Sequence, residues 1–215
     1  MSKKFKDFYN LVLATFVRAN FNYKSSKFKK FYSFNPGIFF NDSVSSELMI
    51  NGIFERDELD LLSNIIDKEI FIDIGANIGN HSLYFRNSFK KIYSYEPHPK
   101  TYKLLQLNTE DLPHIKTFNI GLSNEKKQSH IFIESRKNVA STNYIEDQKG
   151  GDKIFFEKFD DLYNFENSIS FIKIDVEGSE LDVLKGARNT IKFFLPTLFI
   201  EVSSKLKTIK DISSF

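Results

Sequence analysis

The chain is predicted to fold as an α/β protein around a doubly wound, mostly parallel sheet, and three observations predict it. Five short apolar runs recur with helix-like segments between them, a glycine-rich turn closes the first run, and an acidic residue followed by proline closes the second. Alternating strand and helix requires crossover connections, which lay parallel strands side by side with helices on both faces.

The strands are expected at Ile70 to Ile74, Lys91 to Tyr95, Ile115 to Ile120, Phe171 to Asp175 and Thr197 to Glu201. Helices are expected at Gly79 to Arg86, Lys100 to Asn108 and Ser179 to Ala187. An earlier one is expected over Glu55 to Ile66, where Leu59, Leu62, Ile65 and Ile66 recur at helical spacing. Between the third and fourth strands, His130 to Glu134 reads as an extra strand and Ser135 to Asp152 as a loop placed to cover the site. Ahead of the sheet, Gly37 to Ile53 mixes apolar pairs with Asn, Asp and Ser, which predicts a strand or two and turns. The chain thus divides into a basic amphipathic arm at 1–36 and one α/β domain at 37–215.

Composition removes several function classes. Without cysteine there is no disulfide, thiolate zinc site or cysteine nucleophile, and His81, His98, His114 and His130 lack the spacing of a helical zinc pair. The apolar run at Leu11 to Val17 is far shorter than the roughly 20 residues a spanning helix needs, and Arg18 and Asn20 follow it where a leader would be cleaved. A cytoplasmic protein is the expectation. Net charge is +2, yet residues 1–34 carry +7 and leave −5 for the rest. That arm reads either as a solvated amphipathic helix on the core or as a contact for anionic lipid or a partner. An acidic remainder argues against a nucleic-acid substrate, since phosphate binding needs clustered Lys and Arg.

The strongest local signal is FIDIGANIGN at 71–80: a buried strand reaches Asp73 and turns through Gly75 and Asn77 into Gly79 and a helix. One strand-helix-strand unit later, Glu96-Pro97 ends the second strand, and an acidic residue there can accept hydrogen bonds from both ribose hydroxyls. A pyrophosphate against the turn would be repelled by Asp73, whereas S-adenosylmethionine carries an ammonium and a sulfonium and no phosphate. Gly75 and Gly79 are also four apart, unlike G-x-G-x-x-G. By topology, the adenine is expected near Asn119 to Ser123.

FIKIDVEGSE at 171–180 places Lys173, Asp175 and Glu177 on one side if the period of two persists. Ionisable residues on a central buried strand are costly unless paired or functional, so Lys173 and Asp175 either neutralise each other or serve a reaction. A hydroxyl accepting a methyl group must lose its proton, and Asp175 or Glu177 is the candidate base. Lys173 would lower the base's pKa or orient the acceptor, and Glu201 would hold a substrate hydroxyl or ammonium, a role also open to Glu177. Asp175, Glu177 and Glu201 form an oxygen set able to hold one magnesium, although nothing in the spacing demands it, and no metal ligand is assigned.

Together, FIDIGANIGN, YSYEPHP at 93–99, FIKIDVEGSE and PTLFIEV at 196–202 resemble the FkbM family of methyltransferases in order and spacing. NGIFERDELDLL at 51–62 and LLQLN at 104–108 extend the resemblance across about residues 48–202. It implies a class I methyltransferase Rossmann-like fold, S-adenosylmethionine as donor and O-methylation, often of sugars in surface polysaccharides or of secondary metabolites. Carried over by position, Asp73, Gly75, Asn77, Gly79, Glu96 and Pro97 match the cofactor blocks, and Lys173, Asp175, Glu177 and Gly178 the fourth-strand block. Asp175 stands among the expected cofactor contacts as well as the catalytic residues.

Only 14 residues follow Glu201, where such enzymes continue with a helix and an antiparallel pair. The expectation is a shortened C-terminal edge, covered by a homodimer or left open in an impaired relative. Two rivals remain: a nicotinamide-dependent oxidoreductase acting on sugar nucleotides, and a non-catalytic binding or scaffold protein of the same fold.

Overall fold

Ile70–Ile74 forms strand β1, buried at all five positions, because a strand sandwiched between helix layers has no wet face. A computed structural model places it at the centre of the molecule and describes residues 53–64, 66–131, 144–145, 151–162 and 168–201. The arm expected at 1–36, the segment at 37–53 apart from Ile53, most of the loop expected at 135–152 and the residues after Glu201 lie outside the described residues.

In chain order the elements are α1 (Arg56–Ser63), β1, α2 (Asn80–Tyr84) with a 3-10 turn at Phe85–Asn87, β2 (Lys91–Tyr95), α3 (Pro99–Thr109) and β3 (Ile115–Phe118). Then come β4 (Gly121–Leu122), β5 (Lys127–Ile131), β6 (Tyr144–Ile145), β7 (Asp152–Glu157), a 3-10 turn at Phe159–Asp161, β8 (Ile169–Ile174), α4 (Glu180–Gly186), α5 (Arg188–Phe194) and β9 (Thr197–Ile200).

The main sheet runs β3-β2-β1-β8-β9, every pair parallel, so the predicted doubly wound α/β architecture holds. Strand order reverses between β1 and β8, which makes their carboxyl ends the topological switch point. β9 ends the order and is half-buried along its length.

Period-two alternation sorts the side chains into two cores. Ile70, Ile72, Ile74, Ile172 and Ile174 face Val183 and Leu184 of α4, while Phe71 and Phe171 face Leu59, Phe85, Phe89 and Ile115. Phe71 meets Phe85 edge-on at 5.6 Å and Phe171 at 4.9 Å. Each fully buried side chain of this size contributes about 1.5–3 kcal/mol, so the two cores fix the strand tips that carry the site.

Four departures from the sequence reading have physical causes. β3 stops at Phe118, short of Ile120, because Asn119 leaves the ladder to donate to the carbonyls of Glu96 and Pro97 (both 2.9 Å). β8 stops at Ile174 rather than Asp175, and Glu177 and Gly178 turn through φ 52° and 100°. The alternation expected to align Glu177 with Lys173 therefore ends, and Glu177 is exposed. The inserted region is a second sheet, β4-β7-β5-β6, of which only β5 was foreseen, as a strand at His130 to Glu134. Finally, the helix expected at Ser179 to Ala187 is present as α4, capped by those two residues, but it is followed by an unforeseen α5, whose Asn189 and Thr190 N–H groups donate to Asp160 (both 2.9 Å).

Candidate functional site at the strand tips

The turn after β1 is shaped by protein against protein. Gly75 adopts φ 73°, and a Cβ there would lie 1.8 Å from the Asp175 carbonyl oxygen, so glycine is demanded by the approach of the β8 tip. The N–H groups of Gly75 and Ala76 both donate to the Tyr95 carbonyl (3.0 Å), joining the turn to the end of β2. Asn77 takes φ 52° and Gly79 φ 98° as the chain enters α2.

Asp73 lies fully buried beneath this turn. Its Oδ2 accepts from the Ser82 hydroxyl (2.5 Å), which in turn is 2.7 Å from the Ser94 hydroxyl, and its Oδ1 lies 3.7 Å from Lys173 Nζ. Asp73 and Lys173 are register partners across β1 and β8. Asp73 is thus answered by Lys173 within the sheet, and the carboxylates left at the strand tips are the buried Glu96, the partly buried Asp175 and the exposed Glu177 and Glu201.

Glu96 closes β2. Its Oε2 accepts the Asn77 N–H (3.0 Å) and its Oε1 the His98 N–H (2.9 Å), so one carboxylate ties the first turn to the second. Burial pushes its carboxyl up to about 7, against the pull of those two N–H groups toward lower values. A carboxyl raised from about 4.5 binds its proton more tightly when folded, so its effect on stability is a loss that grows as pH rises from about 4.5 to 7. For this buried group the loss reaches about 3 kcal/mol. Thermal midpoints measured across that window should fall less steeply in Glu96→Gln than in the parent chain; identical slopes would refute the assignment.

His98 caps α3, its Nδ1 accepting from Lys100 and Thr101 N–H (3.2 and 3.4 Å). Pro97 lines a narrow, mostly apolar cleft with Ile74, Gly75, Tyr95, Leu122, Phe156 and Val176, between the tips of β1 and β2 and the second sheet. Asn119 spends its amide hydrogens on the Glu96-Pro97 carbonyls and so holds this turn in shape.

At the β8 tip, Lys173 is 3% exposed and its Nζ donates to the Gly75 carbonyl and to Asp175 Oδ2, both at 3.0 Å. Burial works to lower its pKa, but the carboxylates of Asp175 and Asp73 outweigh it and hold the ammonium above its usual range. Burial works in the opposite sense on Asp175, yet Lys173 and a hydrogen bond with Glu201 hold that carboxyl below its usual range. The same hydrogen bond, followed by burial, pushes Glu201 up to about 7. Glu177, at the exposed rim, is raised by burial of its carboxyl and by the charges of Asp175 and Glu180.

The structure therefore brings together Asp73, Gly75, Asn77, Glu96, Lys173, Asp175 and Glu201, with Glu177 set outward. Among the described residues no group of three or more His, Asp or Glu side chains is placed to hold a metal ion, so the magnesium set of Asp175, Glu177 and Glu201 does not assemble. No helix among the described residues is long and apolar enough to cross a membrane.

Sequence reasoning missed Asn80, His81 and Ser82, which are consecutive and all buried at the start of α2. Asn80 exchanges two hydrogen bonds with the Phe54 backbone (both 3.0 Å), and His81 Nε2 lies 3.2 Å from Glu55 Oε2. Three polar residues running into a helix that must cover the sheet were the available signal.

The model of the methyltransferase FkbM domain matches residues 73–214. The hexuronic acid methyltransferase AglP of Haloferax volcanii is 27% identical over 61% of this chain and 55% of its own. Methyltransferase 1 of Beauveria bassiana is 26% identical over 56% of this chain and 59% of its own. The chain thus spans little more than half the length of these relatives. In structure, the methyltransferase FkbM from Methylobacillus flagellatus superposes with a TM-score of 0.55 at 21% identity, over 79% of this chain and 45% of that one, a likeness of fold.

Proposed function

Because the chain belongs to the FkbM methyltransferase family, we propose that it transfers a methyl group from S-adenosylmethionine to a hydroxyl oxygen, on a sugar of a surface polysaccharide or on a secondary metabolite. The observation that carries this reading is the charge of the strand tips. Glu96, Asp175 and Glu201 gather at the switch point with Glu177 at its rim, while the ammonium of Lys173 is committed to Gly75 and Asp175. Such a set of carboxylate acceptors fits a ligand with an ammonium, a sulfonium and a ribose diol, and would repel the diphosphate of a nicotinamide cofactor. The sugar acceptor draws support from the name of AglP, a hexuronic acid methyltransferase.

In this reading Glu96 accepts the ribose hydroxyls, Gly75, Asn77 and Gly79 shape the turn beside them, and Pro97, Leu122 and Phe156 offer an apolar wall to the adenine. Bound there, S-adenosylmethionine supplies an electrophilic methyl group. The acceptor hydroxyl gives its proton to the Asp175–Glu201 pair, a positioned base being worth about 10²–10⁴ in rate. Asp175 alone is a weak base, since Lys173 holds it low; Glu201, near 7, gives the pair its basicity. Glu177 holds the acceptor at the rim. The base must be deprotonated, so turnover should rise with pH through about 7, and Glu201→Gln should remove that rise.

Calorimetric titration with S-adenosylmethionine tests the cofactor half. Glu96→Ala should weaken binding roughly ten- to hundred-fold, the worth of hydrogen bonds to a charged group. Asp175→Asn should lose turnover in a sugar-acceptor screen while losing less affinity than Glu96→Ala. No binding by the parent chain would overturn the reading and leave a scaffold of the same fold.

A further inference from the structure

Glu55 precedes α1 in the left-handed region, at φ 56° and ψ 38°. For a residue with a Cβ that conformation is strained and persists only where surrounding contacts impose it. Those contacts come from two successive residues of α2. The buried Asn80 amide accepts the Phe54 N–H and donates to the Phe54 carbonyl, reproducing with one side chain the exchange of a strand pair. The next residue, His81, is 6% exposed, and its Nε2 has no aligned hydrogen bond but lies 3.2 Å from Glu55 Oε2. Phe199 of β9 closes the far side of the imidazole, with ring centroids 6.4 Å apart.

The strain at Glu55 and the buried nitrogen facing it thus meet at one contact, beside the carboxylates of the β8 and β9 tips. His81 is near enough to favour the charge of Asp175, and Glu55 near enough to disfavour that of Glu201 and to favour that of Lys173. Asp73, also buried, faces the same ammonium from β1.

We propose that Glu55 and His81 are positioning residues of the site: the pair holds Phe54 and Glu55 beside the β8 and β9 tips and fixes the arrangement of Asp175 and Glu201 on which proton removal depends. This rests on the reading that those two carboxyls take the acceptor's proton. Without the pair, Glu55 loses the contact that holds it left-handed and the Phe54–Glu55 backbone beside Glu201 loosens.

The test needs no acceptor. In the full chain with ¹³C-labelled Asp and Glu, the Glu201 resonance, assigned with Glu201→Gln, is titrated in the parent, Glu55→Gln, Glu55→Asp and His81→Gln. Glu55→Gln should move the Glu201 midpoint below that of the parent, and Glu55→Asp should restore it. Amide exchange at Phe54 to Leu59 should quicken about ten-fold or more in Glu55→Gln and His81→Gln at unchanged thermal midpoint. Titration and exchange both as in the parent overturn the proposal. A fall in thermal midpoint without a selective change at Glu201 also overturns it, since that marks a purely structural pair. Where Glu55→Gln fails to fold, His81→Gln decides through Asp175, which should titrate higher. Failure of the parent to bind S-adenosylmethionine would count against the enzyme reading alone, because the carboxyl titration is independent of it.

Discussion

Gly75→Ala should cost the fold about 2–5 kcal/mol, a large share of the 5–15 kcal/mol typical of a domain. Two contributions set the figure. Alanine at φ 73° carries the left-handed penalty of about 1–2 kcal/mol, and the new methyl would sit 1.8 Å from the Asp175 carbonyl, a backbone atom in a buried parallel sheet. Relieving that clash means parting β1 from β8, an overpacking cost of about 1–3 kcal/mol. Gly178→Ala is the matched control: its φ is 100° but nothing lies within 4 Å of the added methyl, so it should lose only the conformational share. Urea unfolding of both variants measures the difference. Equal losses would show that the Asp175 carbonyl does not set the requirement for glycine. The displaced carbonyl belongs to a candidate base, so turnover should fall in Gly75→Ala even where the protein remains folded.

The second large effect is expected at Lys173. Replacing it with methionine leaves Asp73 fully buried without its cation and frees Asp175 from the ammonium that holds it low. Breaking a buried pair by removing one partner costs about 3–5 kcal/mol, most of it the stranded charge. Adding Asp73→Asn removes that charge, so the double variant should recover part of the loss, and the departure from additivity measures the coupling. Additive losses would mean that the two side chains do not interact. The pH profile follows from the sign of each shift. Lys173, raised, contributes stability present below its ordinary value near 10.5 and lost as pH climbs through the folded one. Asp175, lowered, contributes stability present above its ordinary value near 3.8 and lost as pH falls through the folded one. The variant should lose both.

Much of the frame was legible because a parallel strand covered on both faces shows as a continuous apolar run between turn residues. IFIDI and KIYSY coincide with β1 and β2 residue for residue. The second sheet was not legible for the opposite reason: β4 and β6 have two residues each, too few to display a period, and β7 finds its partners 21 to 35 residues earlier.

Glu177 shows how a local rule fails where its element stops. The alternation that aligned it with Asp175 belongs to a strand, and the strand had already ended at Ile174. Asn80 and His81 failed to register because their polar run shows that buried partners are needed but not that the partner is a segment 26 residues upstream.

What the sequence determined by itself was the order of the five main-sheet strands along the chain, the two turns at Gly75 and Glu96, and the cluster of charge at the end of β8, since each depends on residues within one strand or turn. Only the tertiary structure decided which charges face the site. Asp73 is answered across the sheet by Lys173, Glu201 is hydrogen-bonded to Asp175, and Gly75 is compelled by a carbonyl 100 residues away. Charge and clearance depend on distances between strands, and those are set by how the two cores close.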